Sequence, residues 1–482
     1  MDKVGLSLAA SVVYMVIVAL IGFAVAKRSR SFEDYAVAGR KLGGAMVYAT
    51  ILATWFGTGL ALGGASMAYS YGFRGVIMDP IGAGLSILLF GLFFAKILRR
   101  RGYITISDFF RDRYGGKMEG LSAVVQILAY IGWSASLLVT FGTIMKVFTG
   151  MSYEEGLAIG VLVTLAYTMV GGLWSVVYTD FIQAILLITG VITLLFATID
   201  EIGGLHAVAA SIDPSMLSIL PEKNFGYLGY FGLLGAAFYI SSWLVQGIGA
   251  INSQDLVQRA AAAKSENTAR NAAIAASVSY IALGLIPAFI GVLATSLYPG
   301  LDNPDEVLPR LAVNLLPALP FVVFSVGLLA ALMSSADSAI LIPSVMVAEN
   351  IAPKLGYTSD KAKLAIARLM VPIVTFTALF IALKTPTIYM LMNLSWELIL
   401  MTHAAPFIAG IISDKPSEKL VVTAVAAGLI LWALLIWAVF PSCMQVEGDF
   451  EYAAWDAVYI AAPLALLLEA LIIIAGSKTK KQ

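Results

Sequence analysis

The sequence predicts an all-α polytopic membrane protein with about 13 transmembrane helices. Three observations predict it. Hydrophobic residues make up 60% of the 482 and charged residues only 12%, whereas a soluble domain of this size carries roughly a quarter of its residues charged. Runs of about 20 apolar residues, the length that crosses a hydrocarbon core of about 30 Å, recur from one end to the other. The basic residues are confined to alternate loops, as cytoplasmic loops require.

The apolar segments lie near 4–26, 44–71, 75–97, 119–147, 156–172, 180–199, 228–251, 270–298, 318–348, 367–384, 387–412, 419–440 and 454–475. The first is too long for a signal-peptide core and has no basic segment before it, so it reads as a retained helix. No linker is long enough to hold a soluble domain, so 1–482 reads as a single transmembrane domain. Of the 30 Lys and Arg, 24 fall in one alternate set of loops, at positions 27–41, 96–117, 259–270, 354–368, 415–419 and 478–481. The partition puts the N-terminus outside and the C-terminus in the cytoplasm of a multi-pass protein of the cell membrane.

Composition also excludes functions. Zero net charge argues against nucleic acid as a partner. Cys443 is the only cysteine, so no intramolecular disulfide forms. Two histidines, His206 and His403, are too few for a histidine-built metal site, and the phosphate-binding G-x-x-x-x-G-K-[ST] pattern is missing. The chain does not read as an enzyme. A channel needs a polar stripe along several helices, and a solute sensor usually carries a soluble signalling domain; neither feature is seen.

The second segment holds Gly57, Gly59, Gly63 and Gly64 within eight positions. Each costs about 1 kcal/mol in helix propensity relative to alanine, so the segment can unwind and free backbone carbonyls at mid-membrane depth. Such carbonyls persist only if buried in protein or lining a cavity. The alternative is close helix packing through the Gly59–Gly63 GxxxG pair. The seventh segment repeats the habit in Gln246-Gly247-Ile248-Gly249. Interrupted helices at matching positions, five apart, point to a five-plus-five inverted repeat with the site at the breaks. Repeat one spans about 44–199 and repeat two about 228–412, with extra helices 4–26, 419–440 and 454–475.

The ninth segment carries Ser334, Ser335, Asp337 and Ser338 inside an apolar run. Such groups are expensive in a membrane unless they function, and hydroxyl, carbonyl and carboxylate oxygens are the hard ligands a small alkali cation takes. Any one serine could instead bond back to a carbonyl one turn earlier. Asp180 either joins this cluster or caps the sixth segment. Asp79, before Pro80, is either in a vestibule or at an outer helix start. Asp255 closes the seventh segment and can pair with Arg259 four residues on.

On these stretches the chain resembles the sodium:solute symporter family. The resemblance rests on Ser31–Arg40, Gly171–Asp180, Gln254–Arg259 and Ala330–Ser338, and covers about residues 5 to 440. It implies a leucine-transporter-like fold, and sodium (Na+) as the coupling ion. The implied ligands are the carbonyls of Ala53, Phe56 and Ala331 and the hydroxyls of Ser334 and Ser335. A second sodium in some members implies Asp180, Ser334 and Ser338, although Asp337 stands where those members carry another serine. Within the family the chain looks most like the high-affinity choline transporters, through Ala53-Thr54-Trp55, Gly102–Thr105 and Met333–Ser338. Trp55 and Trp133 fall at walls of that group's aromatic cage, while Ala83 and Ser253 stand where aromatics are expected. The implied pocket is Trp55, Thr58, Asp79, Trp133 and Ser253.

The resulting expectation is a sodium-coupled symporter importing a small polar solute, either an amino acid such as proline or a choline-like amine. The alternatives are a proton-coupled carrier of the same fold, with a basic side chain in place of the ion, or a symporter for a sugar, carboxylate or vitamin. Near Ser334 and Ser335 the sequence places no Lys or Arg, which favours sodium. The expected partners are this solute, sodium and membrane lipid. Oligomeric state is not legible.

Overall fold

The computed structural model describes residues 3–57, 59–384, 388–413, 416–439 and 450–478. Thr58, Lys415, Cys443, Lys480 and Lys481 lie outside the described residues. Among the described residues there is no β-strand, only isolated bridges.

The first half of the chain begins with α1 (Lys3–Ala26) and α2 (Gly44–Trp55). A wide helical turn, Gly59–Gly63, leads from the interruption after α2 into α3 (Gly64–Tyr71). Gly72 then turns the chain at φ 64°. A Cβ there would lie 2.4 Å from the Met216 carbonyl oxygen, so only glycine fits. An irregular helical run continues to Arg101, followed by α4 (Gly116–Thr149), α5 (Tyr153–Gly171) and α6 (Leu173–Ile202).

The second half repeats the interrupted opening. Helix α7 (Gly232–Gly247) passes through a tight turn, Gly249–Asn252, into α8 (Gln254–Ala262). Then come α9 (Glu266–Leu297), α10 (Ala318–Met346), α11 (Asp360–Lys384) and α12 (Ile388–Ile412). Two further helices, α13 (Glu418–Leu434) and α14 (Phe450–Lys478), follow.

Twelve helical runs among the described residues are long and apolar enough to cross a membrane. The expected thirteen segments differ in number at one place. Gly44–Trp55 is a short apolar helix by itself, while Gly59–Arg101 forms one run across the turn at Gly72. A second difference is the start of α6, seven residues before the expected 180. Thr179 and Asp180 lower the local hydropathy, but both are buried inside the helix, whose N-cap position is Gly172. Asp180 is therefore no helix cap.

Helix α10 is the axis of the protein. Every residue from Phe324 to Met346 is buried, as befits a helix surrounded by others. It packs most extensively against α6 and also against α4 and α2. By contrast, α1, α11 and α13 turn large apolar side chains such as Leu20, Phe380 and Ile430 outward, where lipid rather than water is the compatible solvent.

Candidate transport site

The interruption after α2 has a local cause. Phe56 leaves the helical region (φ −79°, ψ 64°) with its N–H on the Leu52 carbonyl at 2.7 Å. The Gly57 N–H closes on Trp55 at 2.9 Å, and the ladder resumes when Ala61 donates to Gly57 at 3.1 Å. At this break the Thr54 carbonyl accepts the Ser335 hydroxyl of α10 at 3.0 Å. A Cβ on Gly57 would sit 2.7 Å from the Ser335 Oγ, so glycine is what lets the break meet α10.

Around this contact α2, α6, α8 and α10 enclose a polar cluster. The Asp180 carboxylate accepts Ser334 Oγ at 2.5 Å and also the Thr50 hydroxyl. Ser338 Oγ donates to Asp337 at 3.3 Å. Arg259 Nη2 donates to Ser338 Oγ at 2.5 Å and to Thr54 Oγ1 at 2.8 Å. Asp180, Ser334, Asp337, Ser338 and Arg259 are all at 0% exposure. Burying that many polar groups is tolerable only because they satisfy one another. Arg259 corrects two expectations. A basic side chain does reach the serine cluster, and the Asp255 carboxylate does not pair with it. Arg259 touches only the Asp255 backbone oxygen, at 3.4 Å. The Asp255 carboxylate accepts Tyr130 Oη at 2.5 Å and the Trp55 indole N–H instead. All nine residues of α8 are buried.

A cavity opens on the other side of the break. Its walls are aromatic: Trp55 lies 6.2 Å from Tyr280 and 5.9 Å from Trp396, and Trp133 lies 5.6 Å from Trp396. The one carboxylate lining it among the described residues is Asp79, which accepts Tyr280 Oη at 2.5 Å. No Lys or Arg is among those lining residues. Such rings attract a cation through their faces, and the carboxylate adds a formal charge. Trp55, Thr54, Gly57 and Ser335 border the cavity while also belonging to the break or its contacts, so cavity and cluster share one wall.

The profile of the sodium:solute symporter family matches residues 35–436. The chain belongs to that family. It is 30% identical over 417 residues to the high affinity choline transporter 1 of Homo sapiens, across 81% of this chain and 70% of that protein. It is 25% identical to the sodium/pantothenate symporter of Haemophilus influenzae, across 77% of this chain and 78% of that one. Among solved structures it resembles the substrate-bound outward-open state of a Na+-coupled sialic acid symporter, with a TM-score of 0.82 over 98% of this chain and 97% of that one. Sequence identity there is 17%, so this likeness speaks to the fold alone. It is the leucine-transporter-like fold, in a multi-pass membrane protein.

In this symporter the residues singled out from the sequence are distributed as follows. Ser334 and Ser335 meet Asp180 and the α2 break, and Ala53, Phe56 and Ala331 are buried on the same two helices. Ser338 is held by Arg259. Trp55, Asp79 and Trp133 line the cavity together. Ser253 does not: it sits at the N-cap position of α8, buried, with its hydroxyl unpartnered and away from the cavity lining. Thr58 is outside the described residues. Trp396 and Tyr280 were missed, and no local signal marks them, because one aromatic in an apolar helix reads as core.

Proposed function

We propose that this symporter uses the inward sodium gradient to import a small organic cation, a primary to quaternary ammonium compound, through the cavity at the helix breaks. The observation that carries the reading is Asp79, the one carboxylate among the described lining residues, facing aromatic walls formed by Trp55, Trp133, Trp396 and Tyr280. The human relative's name, a choline transporter, supports the same class. A zwitterion such as proline fits less well, since no basic side chain among the described lining residues meets its carboxylate.

Sodium is assigned to the carbonyls of Ala53, Phe56 and Ala331 with the hydroxyls of Ser334 and Ser335. The support is the Ser335 contact to the break, which brings oxygens of α2 and α10 together. A membrane potential adds about 2.3 kcal/mol per charge per 100 mV to inward sodium movement. Ion ligation across α2 and α10 favours the state that accepts solute from outside, and both cargoes leave when the bundle around the breaks rocks inward. The test is uptake into proteoliposomes of labelled choline, a primary amine, proline, pantothenate and glucose, with and without an inward sodium gradient. Ammonium compounds are expected to accumulate only with sodium. Sodium-dependent accumulation of glucose or pantothenate but of no amine sinks the reading.

Orientation follows from the basic residues of one set of loops, 23 of the 24 once the buried Arg259 is left out: N-terminus outside, thirteen crossings, C-terminus cytoplasmic, in the cell membrane. The count of thirteen takes Gly44–Tyr71 as one interrupted crossing, and repeats one and two as 44–199 and 228–412. A C-terminal reporter active only outside the cytoplasm is expected to stay silent; activity would mean an even number of crossings.

A further inference from the structure

Arg259 is an unusual member of the polar cluster. Its guanidinium is fully buried, yet Nε has no hydrogen-bond partner and Nη1 reaches only the Asp255 backbone oxygen and Gln258 Oε1, both at 3.4 Å. Its close contacts are two hydroxyls, Ser338 at 2.5 Å and Thr54 at 2.8 Å. A guanidinium normally fills buried space with a fork of several good hydrogen bonds. Here only Nη2 makes short bonds, the two from Nη1 are long, and Nε makes none. The oxygens it serves, with those of Asp180 and Ser334 beside it, are hydroxyls and a carboxylate of the kind that hold a small hard cation.

We infer that Arg259 is a tethered cation filling an oxygen-lined site between α2, α6, α8 and α10, and that removing it opens the site to one additional alkali cation. The assignment of one transported sodium to the α2–α10 contact rests on the reading above, but the increment does not depend on it. A tethered charge also has a physical advantage. When transported sodium leaves, the Asp337 carboxylate stays linked through the Ser338 hydroxyl to a positive group at membrane depth, where an uncompensated buried charge costs several kcal/mol. Arg259 lies four residues from Asp255, whose carboxylate holds the Trp55 indole, so α8 presents both groups to adjacent residues of the α2 break.

The experiment is equilibrium binding of radiolabelled sodium to the purified intact protein and to Arg259→Met, with sodium-dependent thermal stabilisation as the second readout. The variant is expected to bind one more sodium per chain than the unmodified protein, and to be stabilised by sodium with a steeper concentration dependence. Arg259→Lys, which keeps the charge, is expected to show the original count. The double variant Arg259→Met/Asp180→Asn is expected to return to it. An unmodified count of zero overturns the sodium assignment above, yet a rise to one in Arg259→Met still supports the tethered cation. Equal counts in the unmodified protein and a folded Arg259→Met overturn it. If Arg259→Met does not fold, Arg259→Gln, which retains an N–H donor for Ser338 and Thr54 without the charge, decides by the same count.

Discussion

Asp79→Asn is expected to lower kcat/KM for sodium-driven uptake of a small ammonium solute by about 100-fold, roughly 2.7 kcal/mol of lost interaction at 1.4 kcal/mol per tenfold change. The carboxylate is the one anionic group among the described residues lining the cavity, and it stands part-buried in the cavity wall, where water screens it less than on an open surface. A charge pair formed there is stronger than on a surface, and removing one partner leaves the other buried and uncompensated. The amide keeps the size of the side chain and a carbonyl that can still accept the Tyr280 hydroxyl, so packing around α9 is retained. Tyr280→Phe removes only the bond that orients the carboxylate, and a smaller loss of about 3- to 10-fold is expected from one hydrogen bond to a charged group. Isotope uptake in proteoliposomes measures both. A change below threefold for Asp79→Asn, in protein that inserts normally, would remove Asp79 from recognition.

The Ser335→Ala variant should require about tenfold more sodium for half-maximal uptake, and Ser334→Ala/Ser335→Ala about 100-fold more. A cation at that depth cannot recover a lost oxygen from bulk water, and hydrogen bonds or ligations to charged groups are each worth about 1.5–3 kcal/mol. Ser335 matters twice, because its hydroxyl also satisfies the Thr54 carbonyl freed by the break. Ser344, on the same helix, offers a control: its hydroxyl bonds back to Ile340 at 2.8 Å, and Ser344→Ala is expected to leave sodium dependence unchanged. Sodium titration of uptake at saturating solute distinguishes the cases. If both serine variants keep the original half-saturation, sodium does not sit on this face of α10.

Much of the site was legible because glycine and serine are out of place in apolar helices. Gly57 and Gly59 announced the break in the second segment, and Gly247 and Gly249 the one in the seventh; both breaks exist. Ser334 and Ser335 announced the polar face of α10. Asp180 was visible as a residue, but its neighbours made it look like a helix start, since a polar pair at the edge of an apolar window ends the window. Tyr280 and Trp396 gave no such signal, because an aromatic suits an apolar helix whether or not it borders a cavity. Arg259 was read as part of a basic cytoplasmic loop, which its flanking sequence resembles.

The membrane as solvent, the number of long apolar segments to within one, and the two positions where helices break are all written in the chain's local composition. These follow from composition and backbone propensity within some 20 residues, and no distant contact can reverse them. Which polar groups meet was decided by tertiary structure alone. Thr54 and Arg259 are 205 residues apart, Asp79 and Tyr280 201, and Asp180 and Ser334 154. A buried carboxylate takes whichever donor packing brings within about 3 Å, and that choice is made by helices crossing, not by neighbours along the chain.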